Sequence, residues 1–231
     1  MKLKQITGDY IELDLSNPIV KAHFENPINY TREILDEWES EPFKEFFKPE
    51  YKTVLDIGAN VGLFTLHVLP YVDRIVCVEP YEGHNAVFND LVDNQIFNNT
   101  NPNRSTLVVN IESSALCDYT GTTKYWYEGV NSTMCRLRAD GQIEVPCITL
   151  ADLCTKYNLT KVDFAKVDIE GSEFQAITVE TVKPVFDIID RWLLECHPRS
   201  LESQNHFKAI FEECGYKTQY YDFNGSIYVY K

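Results

Sequence analysis

From residue 51 onward the chain alternates short apolar runs of strand length with segments of helical period, and this alternation constrains the fold more than any other feature. The strand-like runs are 51–57, 74–79, 106–111, 162–168 and 188–196. Between them, 61–69 is apolar nearly all round and ends at Pro70, as a buried helix does. Segment 84–94 places Val87, Phe88, Leu91 and Val92 on one helical face. Thr149 and Asp152 form a capping box ahead of Leu150, Leu153, Cys154 and Tyr157 at helical spacing. Residues 172–181 read as a further helix, and Phe207, Ile210, Phe211 and Cys214 form a last stripe closed by Gly215. Strands buried on both sides and alternating with helices predict a mostly parallel sheet with helices on both faces and right-handed crossovers. Two aromatic runs flank Asn224-Gly225, a strong hairpin dipeptide. That hairpin adds an antiparallel edge and brings the expected sheet to seven strands.

With 231 residues the chain fits one domain with a short extension. Residues 1–50 are less regular. They hold a strand-like run at 10–15, a helical pattern at 30–38 and aromatic patches, and are expected to cover the substrate end of the sheet. Residues 51–231 form the main domain, with a polar, aromatic insert at about 117–146. Alternation in TKYWYEG and QIEVPCI predicts an inserted pair of strands, in which Tyr125, Trp126 and Tyr127 either pack or wall a substrate.

The formal charge of −14 sets the chain against phosphate backbones and anionic membrane surfaces, so nucleic acid is not the expected partner. Seven scattered cysteines, odd in number and with no C-x-x-C pair, argue for a reducing compartment and against a disulfide scaffold or structural zinc. The N-terminal MKLKQITGDYIELDL has no apolar core of a signal peptide, and no run is long enough to span a bilayer. A cytoplasmic protein is the expectation.

Ligands of open parallel sheets sit beyond the C-terminal strand ends. After the first strand comes Asp56-Ile-Gly58-Ala59-Asn60-Val-Gly62. Gly58 permits a tight turn and lets a ligand approach the backbone, and the next helix presents free N–H groups. By itself this is also a plain strand–helix turn. Glu79 follows the second strand, where a carboxylate accepts hydrogen bonds from both ribose hydroxyls. Together the two features favour a nucleoside. A dinucleotide site expects G-x-G-x-x-G, but Asn60 stands where the second glycine belongs. Asp56 repels a pyrophosphate and suits the ammonium of a methionine moiety. The pattern therefore favours S-adenosylmethionine (SAM) over NAD.

The blocks VLDIGANVGLFTL, VCVEPY, ITLADL, AKVDIEGSEFQAI and LLECHP occur in that order, and over roughly 51–197 they resemble the FkbM family of SAM-dependent methyltransferases. The resemblance implies a class I, Rossmann-like α/β fold. It implies that Asp56, Gly58, Ala59, Asn60 and Gly62 line the methionine half of SAM, and that Glu79 holds the ribose. Where family members often read A-L-S-D, this chain has Ala115-Leu116-Cys117-Asp118, which is expected to border adenine. Asp168, Glu170, Gly171 and Glu173 are expected to face the transferred methyl group, with Asp168 also touching SAM. Glu195 and His197 follow the fifth strand and are expected to converge with Asp168.

Methyl transfer to a hydroxyl needs alignment and removal of a proton. Asp168 or His197 is the candidate base. Alternatively Asp168 and Glu195 hold Mg²⁺, by analogy with catechol-type enzymes. Plainer roles stay open: Glu170-Gly171 as a helix cap, Glu173 as a first-turn acid, and His197 as a strand end. His23, His67, His84 and His206 have no partners at ligand spacing. The resemblance implies O-methylation of a hydroxyl on a sugar, glycan or small metabolite. A non-catalytic SAM-binding subunit, a dinucleotide oxidoreductase and a methyltransferase acting on nucleic acid or protein remain alternatives. No motif marks the acceptor or an oligomeric interface.

Overall fold

A computed structural model describes residues 2–4, 10–12, 16–18, 21, 46–98, 107–127, 135–221 and 225–231. The first two strands, β1 (Lys2–Lys4) and β2 (Tyr10–Glu12), pair antiparallel with each other. Strands β3 (Thr53–Ile57), β4 (Arg74–Val78) and β5 (Val108–Glu112) alternate with helices α1 (Leu63–Val68) and α2 (Glu82–Asn98). A second sheet follows, of β6 (Ala115–Leu116), β7 (Gly121–Trp126), β8 (Arg136–Leu137) and β9 (Ile143–Ile148). Next come α3 (Leu150–Lys156), β10 (Phe164–Val167), α4 (Glu173–Ala176) and α5 (Val179–Val182), which runs into a 3-10 turn. The chain closes with β11 (Arg191–Glu195), α6 (Leu201–Glu213), β12 (Lys217–Tyr221) and β13 (Ser226–Tyr230).

The seven-stranded sheet has the order β12-β13-β11-β10-β3-β4-β5. Side chains alternate across it, because successive strand residues point to opposite faces. Leu55, Ile57, Val76, Val78, Ala165, Val167 and Leu194 meet Leu150 and Leu153 of α3 and Phe207 and Phe211 of α6. On the other face Val54, Ile75, Cys77, Phe164 and Leu193 meet Phe64 and Leu66 of α1 and Val87, Phe88 and Leu91 of α2. Two cores explain why the strands read as continuous apolar runs. Full burial of one such Leu, Ile or Phe side chain contributes roughly 1.5–3 kcal/mol. Phe46 and Phe47 are buried in the second core, so packing reaches back to residue 46.

The terminal hairpin forms the antiparallel edge as expected: β13 pairs antiparallel with both β11 and β12, and β12 is outermost. Three expectations need correction. The expected helix over 172–181 is broken, because Ile177 is extended and Thr178 caps α5 through its side chain. The insert is a four-stranded sheet that recruits Ala115–Leu116 rather than a bare pair of strands. Only half of the Thr149–Asp152 box forms: Thr149 Oγ1 accepts from the Asp152 N–H at 3.1 Å, while the Asp152 carboxylate takes the Thr120 hydroxyl instead. The Gly215 cap is as expected, with φ of 100°. The helical pattern at 30–38, His23 and Asn224 lie outside the described residues. All seven cysteines are buried and free. Among the described residues no helix is long and apolar enough to cross a membrane.

Candidate active site

The C-terminal ends of neighbouring strands β4, β3, β10 and β11 carry Glu79, Gly58, Asp168 and Glu195 respectively. The sheet order therefore brings the sequence-predicted residues to one edge.

The loop after β3 is held mainly by backbone. Gly58 and Ala59 N–H groups donate to the Val78 carbonyl at 2.9 and 3.1 Å. Gly58, Asn60 and Gly62 have φ of 75°, 51° and 82°, and Asn60 tolerates this region with its Oδ1 accepting from the Val61 N–H at 2.8 Å. A Cβ on Gly58 would lie 1.7 Å from the Asp168 carbonyl oxygen, and one on Gly62 2.3 Å from the Phe88 ring. The Cβ directions of these two glycines are therefore occupied by protein. Each glycine is required by a close approach of another element.

Glu79 is buried at the tip of β4. Its carboxylate accepts from the N–H groups of Asn60 at 3.0 Å and Tyr81 at 2.9 Å, and lies 3.3 Å from His84 Nδ1. It thus ties two strand-end loops together. His84 was not expected to have such a partner; it is buried and packs edge-on to Tyr81. Tyr81 stacks in turn on Tyr127 of the insert at 4.9 Å. Tyr125 and Ala115 are buried in the insert's own core, so Tyr125 is packing rather than an open wall.

Asp56 is fully buried and turned inward. Its Oδ2 accepts from Thr65 Oγ1 at 2.7 Å, and its Oδ1 lies 3.7 Å from Lys166 Nζ. Burial pushes its pKa up against the pull of Lys166. The carboxylate expected to meet a ligand's ammonium thus lies beneath the loop, with Thr65 and Lys166 as its neighbours.

The acidic block after β10 wraps His197. Glu170 and Gly171 have φ of 55° and 98°, and the chain turns back on itself there. The buried Glu173 carboxylate accepts from the Ile169 N–H at 3.0 Å and the Gly171 N–H at 2.8 Å, and meets His197 Nδ1 at 3.1 Å. His197 Nε2 lies 3.6 Å from Glu170 and 3.5 Å from Glu195. Burial opposes charge on His197, but the Glu173 hydrogen bond and the nearby Asp168 and Glu170 raise its pKa to about 9. The imidazole expected as a resting base therefore carries a proton at neutral pH. Burial and the neighbouring Asp168 push Glu170 up to about 7 and Glu195 up to about 8.

Asp168, Glu170 and His197 offer ligand atoms within 4.8 Å of one another, the spacing of a cation site. Glu195, expected to pair with Asp168 around Mg²⁺, is outside that group. Its Oε1 is engaged by Arg199 Nε at 2.7 Å and Nη2 at 2.5 Å. Glu195 is thus paired with arginine in this structure.

Sequence reasoning passed over Lys166, Glu173 as the holder of His197, and Arg199. A lysine inside the apolar strand FAKV was the signal for the first. No local pattern marks the other two, which depend on the turn after β10 meeting the end of β11.

A family model described as the methyltransferase FkbM domain matches residues 56–218, more than two-thirds of the chain. Among solved structures, methyltransferase FkbM from Methylobacillus flagellatus KT superposes with a TM-score of 0.54 at 16% identity, over 81% of this chain and 46% of that one. The chain spans about half the length of that relative. A SAM dependent methyltransferase from Aquifex aeolicus gives 0.48 at 12% identity, over 95% and 97%. Precorrin-6y C5,15-methyltransferase from Geobacter metallireducens gives 0.48 at 10%, over 84% and 89%. No curated protein matches the chain. The α/β fold is that of class I SAM methyltransferases, and the chain belongs to the FkbM methyltransferase family.

Proposed function

We propose that the protein is a SAM-dependent methyltransferase acting on a hydroxyl of a sugar, glycan or small metabolite. The observation that carries this reading is the convergence, in an FkbM chain, of Glu79, the 58–62 loop and the Asp168–Glu170–His197 group on one sheet edge. The residues fit the cofactor. A carboxylate has about four acceptor positions, so Glu79 keeps capacity for a ribose hydroxyl beside its present partners. Asp168 Oδ1 is buried with no hydrogen-bond partner, next to the loop assigned to the methionine half.

Bound SAM supplies an electrophilic methyl group on a sulfonium. Gly58, Ala59, Asn60 and Gly62 would line the methionine half, and Glu79 would hold the ribose. Ala115, at the start of the insert, stays assigned to the adenine side. Asp168 aligns the acceptor hydroxyl, and alignment of this kind contributes several kcal/mol. Glu170, with its pKa near 7, takes the hydroxyl proton, because a general base works best when its pKa lies near the working pH. His197, cationic and fixed by Glu173, keeps Asp168 and the ionised Glu170 together. Glu195 is oriented by Arg199 and lies beside His197. The charge of −14 supports a neutral or polar acceptor over a nucleic acid.

Incubation with methyl-labelled SAM and an extract of the host, followed by mass identification of the product, tests this. A labelled hydroxylated metabolite or glycan is expected. Label found only in RNA or protein overturns the acceptor class. Label found nowhere, despite SAM binding, points to a non-catalytic subunit.

A further inference from the structure

Lys166 is the most unusual residue of the central sheet. Its β10 neighbours Phe164, Ala165 and Val167 are fully buried, and its own side chain is only 11% exposed. Its Nζ donates to the Gly58 carbonyl at 2.9 Å and lies 3.5 Å from Asp168 Oδ2 and 3.7 Å from Asp56 Oδ1. An ammonium has three N–H donors, and three acceptors surround this one. Taking such a charge out of water costs several kcal/mol, and a well-packed apolar side chain in place of a buried ion pair is often at least as stable. Stability alone therefore gives no reason for a lysine here.

We propose that Lys166 is a positioning residue that clamps the cofactor loop to the catalytic acid. The inference rests on the function proposed above. Lys166 joins two backbones that already touch, since the Asp168 carbonyl fills the space beside Gly58. It also selects one oxygen of Asp168. Oδ2 is held by the ammonium, and Oδ1 is left without a protein partner. The clamp thus fixes the distance between the methyl donor and the residue that aligns the acceptor, and the direction in which that residue accepts. Lys166 touches neither reactant and acts through Gly58 and Asp168. Asp56, beneath the loop, balances its charge.

The test compares wild type, Lys166→Met, Lys166→Arg and the double variant Lys166→Met/Asp56→Asn, which leaves no uncompensated buried carboxylate at position 56. Melting temperature, affinity for S-adenosylhomocysteine and the rate of label transfer from methyl-labelled SAM to the host extract are measured. Losing hydrogen bonds to a charged group weakens an interaction by about tenfold to a hundredfold. The folded double variant is therefore expected to bind S-adenosylhomocysteine about tenfold more weakly. Its transfer rate at saturating SAM is expected to fall by roughly a further hundredfold. Lys166→Arg is expected to recover part of the binding and less of the rate. A purely structural lysine would lower the melting temperature and leave both quantities unchanged per folded molecule. A folded Lys166→Met or double variant within about twofold of wild type in binding and rate overturns the clamp. A wild type that binds no S-adenosylhomocysteine removes the functional reading beneath it.

Discussion

Gly62 and Gly58 set how tightly the loop after β3 is constrained. Gly62→Ala places a methyl group 2.3 Å from the Phe88 ring at φ of 82°. Overpacking and a left-handed backbone together are expected to cost about 2–4 kcal/mol in urea unfolding. Gly58→Ala meets a backbone carbonyl that cannot rotate away, and is expected to cost more and to abolish cofactor binding. At Glu170 the prediction concerns pH. The transfer rate should rise as Glu170 loses its proton near pH 7 and fall as His197 loses its own near pH 9. The two limbs belong to the coupled acid–histidine group, not to either residue alone. Glu170→Gln is expected to lower the rate and remove the acid limb. A retained limb near pH 7 would move the proton transfer to another group. At this scale the sequence marked the positions better than their reasons. Gly58, Gly62 and Asp56 stand out in any reading of the loop, but their partners Asp168, Phe88 and Lys166 come from elements far along the chain. Contacts of that kind leave no local trace.

Elements were legible where periodicity and burial agreed. The strands of the parallel sheet and the stripe of α6 follow directly from apolar spacing. α6 also has a readable start: Ser200 Oγ accepts from the Ser203 N–H at 3.2 Å. Ser200→Ala is expected to lower stability by about 1 kcal/mol by chemical denaturation, with no change in cofactor affinity. Elsewhere long-range pairing decided. Segment 172–181 has helical spacing, yet Thr178 and Thr181 bond each other's backbones and restart the helix. The hairpin signal located the last two strands but not their order. Ile227 faces Leu194 on one side and Tyr220 on the other, so β13 is taken between two strands rather than added outside them. The insert joins the main fold through short strands, which alternation alone underestimates.

For the whole molecule, charge governs both partners and pH response. His197 has a folded pKa of about 9, above its ordinary 6.5, so the stability it gives is complete below pH 6.5 and is lost as pH rises toward 9. Glu170 and Glu195 are raised from 4.5 to about 7 and 8, so their protonated forms favour the fold and that benefit also fades as pH rises through 7–8. The depressed carboxyls of Glu112 and Asp163 act oppositely, giving stability above their unfolded values that is lost as pH falls further. The melting temperature is therefore expected to peak at mildly acidic pH and to decline toward pH 9. A scan that is flat or rising from pH 6.5 to 9 would count against the cluster as described. The order in which Glu79, the glycine loop, Asp168 and Glu195 meet along one edge depends on the full sheet topology. The alternation of strands and helices was enough to anticipate a site at the C-terminal strand ends, but not the order of the strands.

The central claim is that this edge binds SAM through Glu79 for transfer of its methyl group. Titration calorimetry with S-adenosylhomocysteine, on wild type and Glu79→Ala at matched melting temperature, tests it most directly. One site per chain is expected in the wild type, with affinity about tenfold lower in Glu79→Ala. Absence of binding in the wild type, or equal affinity in the two proteins, would contradict it.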